Sequence, residues 1–163
     1  MSDAIKQPEP EQRPQETPGQ PGTPVLVEVY AQPCPKDQIA WSSRWKFRGS
    51  SHWQEDPIVI PAKKADQAAT PIQFDLIDST GRGLKFEAAA EHAIWSRRNQ
   101  CPDEDQPCHD SELELSCGAP QLKRLTVLDR NTVECSVFYR LRFRDRNGKP
   151  VSYDPEIRNG GNN

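Results

Sequence analysis

Thr132-Val133-Glu134-Cys135-Ser136-Val137-Phe138-Tyr139-Arg140-Leu141-Arg142-Phe143-Arg144 alternates polar and apolar side chains along its whole length, with Phe138 the one interruption. A period of two over such a stretch belongs to a long β-strand with one buried face. The parity points Val133, Cys135, Val137, Tyr139, Leu141 and Phe143 inward and leaves Arg140, Arg142 and Arg144 outside. The pattern decides the fold class: a mostly β domain whose core lies against one sheet face.

Working outward, Asp129-Arg130-Asn131 and Asn147-Gly148 read as turns on either side of this strand. Leu125 and Val127 form the strand before it, and Val151 and Tyr153 the strand after it. That makes a three-stranded antiparallel meander, with Asn147-Gly148 as a two-residue type I′ turn. Val25, Val27 and Val29 give a first strand. Ile72, Phe74 and Leu76 give another, and the Gly81-Arg82-Gly83 turn leads into Leu84-Lys85-Phe86, so 72–87 reads as a hairpin. Ile39-Ala40-Trp41 and Trp45-Lys46-Phe47 read as short strands in a stretch where neither period dominates, a helical turn near Asp37 being the alternative. Pro57 to Pro61 reads as an edge strand bracketed by prolines. Leu113, Leu115 and Cys117 share a parity. Glu87 to Ala93 has the strongest helix propensity in the chain.

These segments add up to an all-β, mainly antiparallel fold: a single β-sandwich of about 7–8 strands, Ig-like or a similar Greek key. At most one short helix, near 87–93, accompanies it. The length of 163 residues suits one domain. Residues 1–24 hold six of the 16 prolines and four glutamines with few apolar side chains, the composition of a disordered Pro/Gln-rich tail. The β-sandwich domain then spans 25–157, and 158–163, ending in Asn159-Gly160-Gly161, reads as a flexible C-terminal tail. No signal-like or membrane-spanning segment is visible, so the expected location is cytoplasmic, with no membrane contact.

Charge is unevenly spread. Between Gln100 and Leu115 there are six acids and no Lys or Arg, while from Leu122 onward nine Lys and Arg face five acids. Such opposite runs neutralise each other internally or form a polar partner surface. A net charge of −3 does not suit nucleic-acid binding.

The candidate binding residues are the tryptophans of the basic stretch, Trp41, Trp45 and Trp53, and the arginine row Arg140, Arg142 and Arg144. Aromatic and basic side chains together are typical of protein contact surfaces, and a row of guanidinium forks suits carboxylates or phosphates. Cys101, Cys108, His109 and Cys117 form a weaker candidate metal set, since thiolates and imidazole suit zinc, though C-x6-C-H-x7-C matches no standard zinc module. Five cysteines cannot all pair. Cys101 with Cys108, or Cys117 with Cys135, are the possible disulfides, and Cys117 and Cys135 both read as core-facing. With only three histidines and no nucleophile elbow, phosphate loop or metalloprotease signature, no catalytic residue and no cofactor are assigned. The expectation is a non-catalytic β-sandwich that binds a protein partner or forms a homo-oligomer. The alternative is a small metal- or thiol-dependent module on the 101–117 loop.

Overall fold

The computed structural model describes residues 22–162. Twelve strands build a sandwich of two mixed sheets. They are β1 (Val25–Cys34), β2 (Gln38–Phe47), β3 (Gln54–Glu55), β4 (Ile58–Ile60), β5 (Thr70–Asp78), β6 (Lys85–Phe86), β7 (Ile94–Arg98), β8 (Leu113–Glu114), β9 (Arg124–Asp129), β10 (Glu134–Arg144), β11 (Pro150–Tyr153) and β12 (Glu156–Gly160). One short helix, α1 (Ala90–Ala93), leads into β7. Sheet A has the order β3-β2-β1-β5-β9-β8, and sheet B the order β11-β10-β12-β4, with β6 and β7 on the other edge of β10. Pairing is mostly antiparallel, with β1–β5 and β4–β12 parallel. The strand count exceeds the sequence expectation because β3 is only two residues long, β7 follows directly on the short helix, and β12 falls largely in the segment read as a tail.

The alternation of the strongest strands builds the core directly. Val25, Val27 and Val29 of β1, Ile72 and Phe74 of β5, and Leu125 and Val127 of β9 face Val137, Tyr139, Leu141 and Phe143 of β10, all at most 1% exposed. At 20–30 cal/mol per Å2 of apolar surface, such a layer supplies the main driving force for folding. The inward row of β10 starts later than its parity suggests. Val133 is exposed and Cys135 half-buried, since the strand begins at Glu134.

Two expected hairpins are sheet-to-sheet crossings. β9 lies in sheet A and β10 in sheet B, so the predicted meander exists only in its second half, β10–β11. Likewise β5 lies in sheet A and β6 in sheet B. At the first crossing Asn131 adopts a left-handed φ of 48°, and its backbone N–H donates to Asp129 Oδ1 at 3.0 Å. Asn131 then reaches both ways: Nδ2 donates to the Pro61 carbonyl at 2.8 Å, and Oδ1 accepts from Gly161 N at 2.7 Å. At the second crossing Asp78 accepts from Thr80 N at 2.9 Å and from Leu84 N at 3.0 Å, closing the loop before β6.

The β10–β11 turn also differs in type. Gly148 has φ of 79° but Asn147 is not left-handed, so the turn is not type I′. Gly148 N donates to the Asp145 carbonyl, and Asp145 N to the Lys149 carbonyl, each at 3.0 Å. That is a type I turn followed by a glycine bulge, with Asp145 Oδ1 accepting from Asn147 N and Lys149 N.

The chain's end is built into the sandwich. Residues 158–160 continue β12, and Asn162 bridges Lys63, so the tail expected at 158–163 is sheet structure as far as Asn162. The two glycines there serve close packing. A Cβ on Gly160 would lie 2.3 Å from Ala62 N, and one on Gly161 2.3 Å from Glu134 N. The tail expected over 1–24 falls outside the described residues up to Pro21. Thr23 is already buried, and the Pro24 carbonyl accepts from Arg48 N at 2.8 Å.

Asp129, fully buried at the first crossing, also accepts from Asn159 Nδ2 at 2.8 Å. Its Oδ2 and the Oδ1 of Asn159 are buried without hydrogen-bond partners among the described residues. Burial is the largest cause pushing its carboxyl up to about 7, aided by the nearby Glu112 and Asp110 carboxylates, against the lowering bonds from Asn159 and Asn131. Between about pH 4 and 7 the folded chain holds a proton at Asp129 that the unfolded chain has released, so stability falls as pH rises through this window. Urea unfolding of the wild type should lose up to about 1.4 kcal/mol per pH unit there from this group. Asp129→Asn keeps the acceptor oxygen and carries no charge, so it should flatten the dependence and be the more stable protein at pH 8.

Candidate interaction surface

The tryptophan-rich stretch that showed neither period is one strand, β2, with its odd residues turned inward. Trp45 is only 2% exposed, stands edge-on to Phe47 at 5.5 Å, and donates through Nε1 to the Glu55 and Pro57 carbonyls at 2.9 and 3.1 Å. Trp41 stacks on Phe143 and on Tyr153, each at 5.3 Å, joining β2 to sheet B. Both are therefore core and inter-sheet anchors. Trp53, just before β3, is half-buried on the outer face of sheet A, under Arg44 and Lys46.

Around Trp53 the even residues of β2 meet β1 on the outer face of sheet A. The Arg44 guanidinium lies 4.2 Å over the Trp53 ring and 5.7 Å from the Tyr30 ring centroid, and Lys46 Nζ sits 4.7 Å over Trp53. Glu28 fixes Arg44 through a 2.6 Å contact to Nη2 and a 2.8 Å bond to Nε. Burial first, then the Glu28 carboxylate, raises the Tyr30 phenol above its ordinary value, so it remains a neutral donor. Tyr30, Arg44, Trp53 and Glu55 help wall a pocket of about 360 Å3 here. The charges continue across the sheet in register: Glu55 lies beside Arg44, Arg44 beside Glu28, Glu28 beside Asp75 and Asp75 beside Arg124. Arg124 Nε contacts Asp75 at 2.6 Å.

The arginine row lies elsewhere, on the outer face of sheet B, and it is not a uniformly wet face. Arg140 is 6% exposed. It donates to Ser152 Oγ at 2.9 Å and to the Pro102 carbonyl at 3.0 Å, with Asp154 at 3.2 Å and Glu104 at 3.7 Å. The Asp154 contact is an ion pair without hydrogen-bond geometry, which leaves Arg140 Nε without a bonded partner among the described residues. Arg142 is half-buried, stacks on Trp95 at 3.9 Å and donates to the His92 carbonyl at 3.1 Å; burial lowers its pKa from the ordinary value. Arg144 is exposed and pairs with Glu87 at 2.8 Å. The acidic run supplies Glu104 and Asp105 to the walls of a pocket of about 300 Å3 over Arg140 and Arg142. Here the two opposite charge runs meet and neutralise each other.

The five cysteines are free thiols. Cys101 and Cys117 are exposed and Cys108 and Cys135 half-buried, so Cys117 is not the core residue its parity suggested. Among the described residues no group of three or more His, Cys, Asp or Glu is placed to hold a metal ion, and Cys101, Cys108, His109 and Cys117 do not converge. His109 Nε2 instead lies 2.9 Å from the Glu91 carbonyl.

One polar cluster had no sequence signal. Asp56 Oδ2 accepts from Tyr153 OH at 2.8 Å and from Ser43 Oγ, while those two hydroxyls lie 3.0 Å apart. Burial is the first cause raising the Tyr153 phenol far above its ordinary value, so it stays protonated. Its members come from β2, the β3–β4 link and β11, too distant in sequence for any spacing to flag. Among the described residues no helix is long and apolar enough to cross a membrane. No protein-family model and no curated protein sequence matches the chain.

These placements separate the tryptophans and arginines by stability. Trp45→Ala should cost about 3–5 kcal/mol in chemical unfolding, against under about 1 kcal/mol for Trp53→Ala. Arg140→Ala, which removes a buried side chain and leaves the buried Pro102 carbonyl without its donor while the exposed Glu104 and Asp154 carboxylates return to water, should cost about 1–3 kcal/mol, and Arg144→Ala under about 1 kcal/mol.

Proposed function

We propose that this chain is a non-catalytic β-sandwich that binds a protein partner through the outer face of sheet A, centred on Trp53 and Arg44. The observation that carries the reading is the Arg44 guanidinium set over Trp53 and held by Glu28, beside Tyr30 and an open pocket. Arginine, tryptophan and tyrosine are the residues that most often dominate protein interfaces, and their side chains here are already ordered before a partner arrives. The half-exposed Leu26, Leu128 and Tyr30, together with the exposed Ile77, extend apolar surface to either side of the charges.

A catalytic reading has less support. His52, His92 and His109 are all exposed, and among the described residues none forms a hydrogen bond to a carboxylate that would orient it as a base. Asp129, whose carboxyl is pushed up to about 7, is sealed from solvent and cannot reach a substrate. The metal- or thiol-dependent alternative on 101–117 lacks a converged ligand set among the described residues.

Affinity capture with the immobilised full chain, read by mass spectrometry, tests the surface. A partner protein retained by the wild type should be lost with Trp53→Ala and with Arg44→Glu while circular dichroism stays unchanged. Retention undiminished in both variants would remove this face as the binding site.

A further inference from the structure

Across the strands β3-β2-β1-β5-β9 the outward charges at one level are Glu55, Arg44, Glu28, Asp75 and Arg124, in sign − + − − +. Reversed, the row reads + − − + −. Laid against its own reversal about β1, Glu55 meets Arg124 and Arg44 meets Asp75, each twice, and only Glu28 meets itself. That residue is already held by Arg44 at 2.6 Å on either side of such a pair. The reversal is the operation of a two-fold axis lying between the two faces and parallel to the strands, an isologous arrangement. An axis running across the strands would set like charge on like charge at every position, so the row selects one orientation.

The residues on that axis suit it. The outward side chains of β1 are Leu26, Glu28, Tyr30, Gln32 and Cys34, and over the span paired with β5 Leu26 meets Leu26 and Tyr30 meets Tyr30, an apolar and an aromatic self-contact. Ile77, beside Tyr30 in register and 38% exposed, would lose its solvent contact. Arg44 and Arg124 are each committed to one carboxylate within the chain, yet a guanidinium carries five donors and accepts a second carboxylate without releasing the first. With Lys46, these five strands turn three acids and three bases outward, and the Glu114–Arg130 pair at the β8 edge adds one of each, so the face offers no net field to steer an oppositely charged partner. Self-complementarity is the charge information it does hold. The outward positions these strands fill around β1, about twelve at about 4.8 by 6.8 Å each, give roughly 400 Å2 per partner before side-chain relief, the scale of a weak, reversible interface.

We infer that the partner of this surface is a second copy of the same chain, the two sandwiches packing through their sheet A faces about a two-fold axis along β1. The inference rests on the reading of sheet A as the protein-binding face. Two sheets stacked this way keep their strands nearly aligned, as in the aligned packing within a sandwich.

Size-exclusion chromatography with light scattering on the full chain tests it. The wild type should run at twice the 18.5 kDa chain mass. Glu55→Arg and Arg124→Glu each change an exposed side chain and leave the core untouched. Each alone places like charges together twice per dimer and should raise the dissociation constant about tenfold or more. Mixed in equal amounts, the two variants again set opposite charges against each other at every altered contact, and dimer should return at the wild-type mass. A wild type that stays at the monomer mass up to about 1 mM, well beyond specific affinities, overturns the inference. So does a dimer that both variants leave intact, or a mixture that fails to recover it. Trp53-dependent capture of another protein by a monomeric wild type would remove the dimer and leave the surface reading standing. A monomeric wild type whose capture of another protein is indifferent to Trp53 and Arg44 would remove both.

Discussion

The crossing from β9 to β10 is the constraint on which the two-sheet arrangement depends, and a buried carboxyl holds it. Asp129 ends β9 on the inward parity of Leu125 and Val127, so its side chain enters the space between the sheets. There it receives the N–H of Asn131, whose left-handed backbone turns the chain away from sheet A, and the amide of Asn159 on β12 of sheet B. One side chain therefore touches the end of a strand in each sheet. An ionised carboxylate in such a place is expensive, and raising its pKa is the cheaper solution, since the unionised acid buries no charge. The Asn131 side chain completes the clamp by joining Pro61 to Gly161. The carboxyl thus costs stability as pH rises while specifying where the chain changes sheets.

This crossing determines which charges are free. Because β10 belongs to sheet B, its arginines point to the back of the sandwich, under the 100–110 loop. There Pro102, Glu104 and Asp154 enclose Arg140, and Trp95 covers Arg142. The most basic strand and the most acidic loop consume each other's charge. Sheet A has no such cover among the described residues beyond Trp53 at its β2–β3 edge, and its charges pair along rows that cross the strands. Arg44 and Arg124 on sheet A keep nearly half of their side-chain surface exposed, whereas Arg140 on sheet B is enclosed.

The strands with a clear period were legible: β1, β5, β9 and the second half of β10 fall where alternation put them, because each buries a full apolar row. Crossings were not legible. Asp129-Arg130-Asn131 and Thr80-Gly81-Arg82-Gly83 carry the same turn residues a hairpin would, and local chemistry fixes a reversal without fixing which sheet the chain enters next. Asn159-Gly160-Gly161 read as a loose end because glycine supplies both flexibility and close approach; only the 2.3 Å spacing to the neighbouring backbone separates them. Of the candidate site, Trp53 was legible as an aromatic among bases. Trp41 and Trp45 were equally suggestive and are core, since β2 turns its odd residues inward and Trp53 lies beyond its end.

Arg140 shows why a row of like charges along one strand is a poor guide to a surface. Outward parity says only that a side chain leaves the core side of its own sheet, not that solvent is what it meets. Whether anything lies beyond depends on segments 30 to 40 residues away, as Pro102 is from Arg140. The row on sheet A makes the complementary case. Glu55, Arg44, Glu28, Asp75 and Arg124 come from five strands and have no common sequence spacing, so no scan along the chain finds them. They become neighbours because β1 takes β5 as a parallel partner and β9 joins β5 while β10 departs. Had β10 continued beside β9 as a hairpin, Arg124 would not stand at the row's open end, and the sign order would not read as its own near-complement. The surface is a product of the topology, and the topology turns on the buried hydrogen bonds at Asp129.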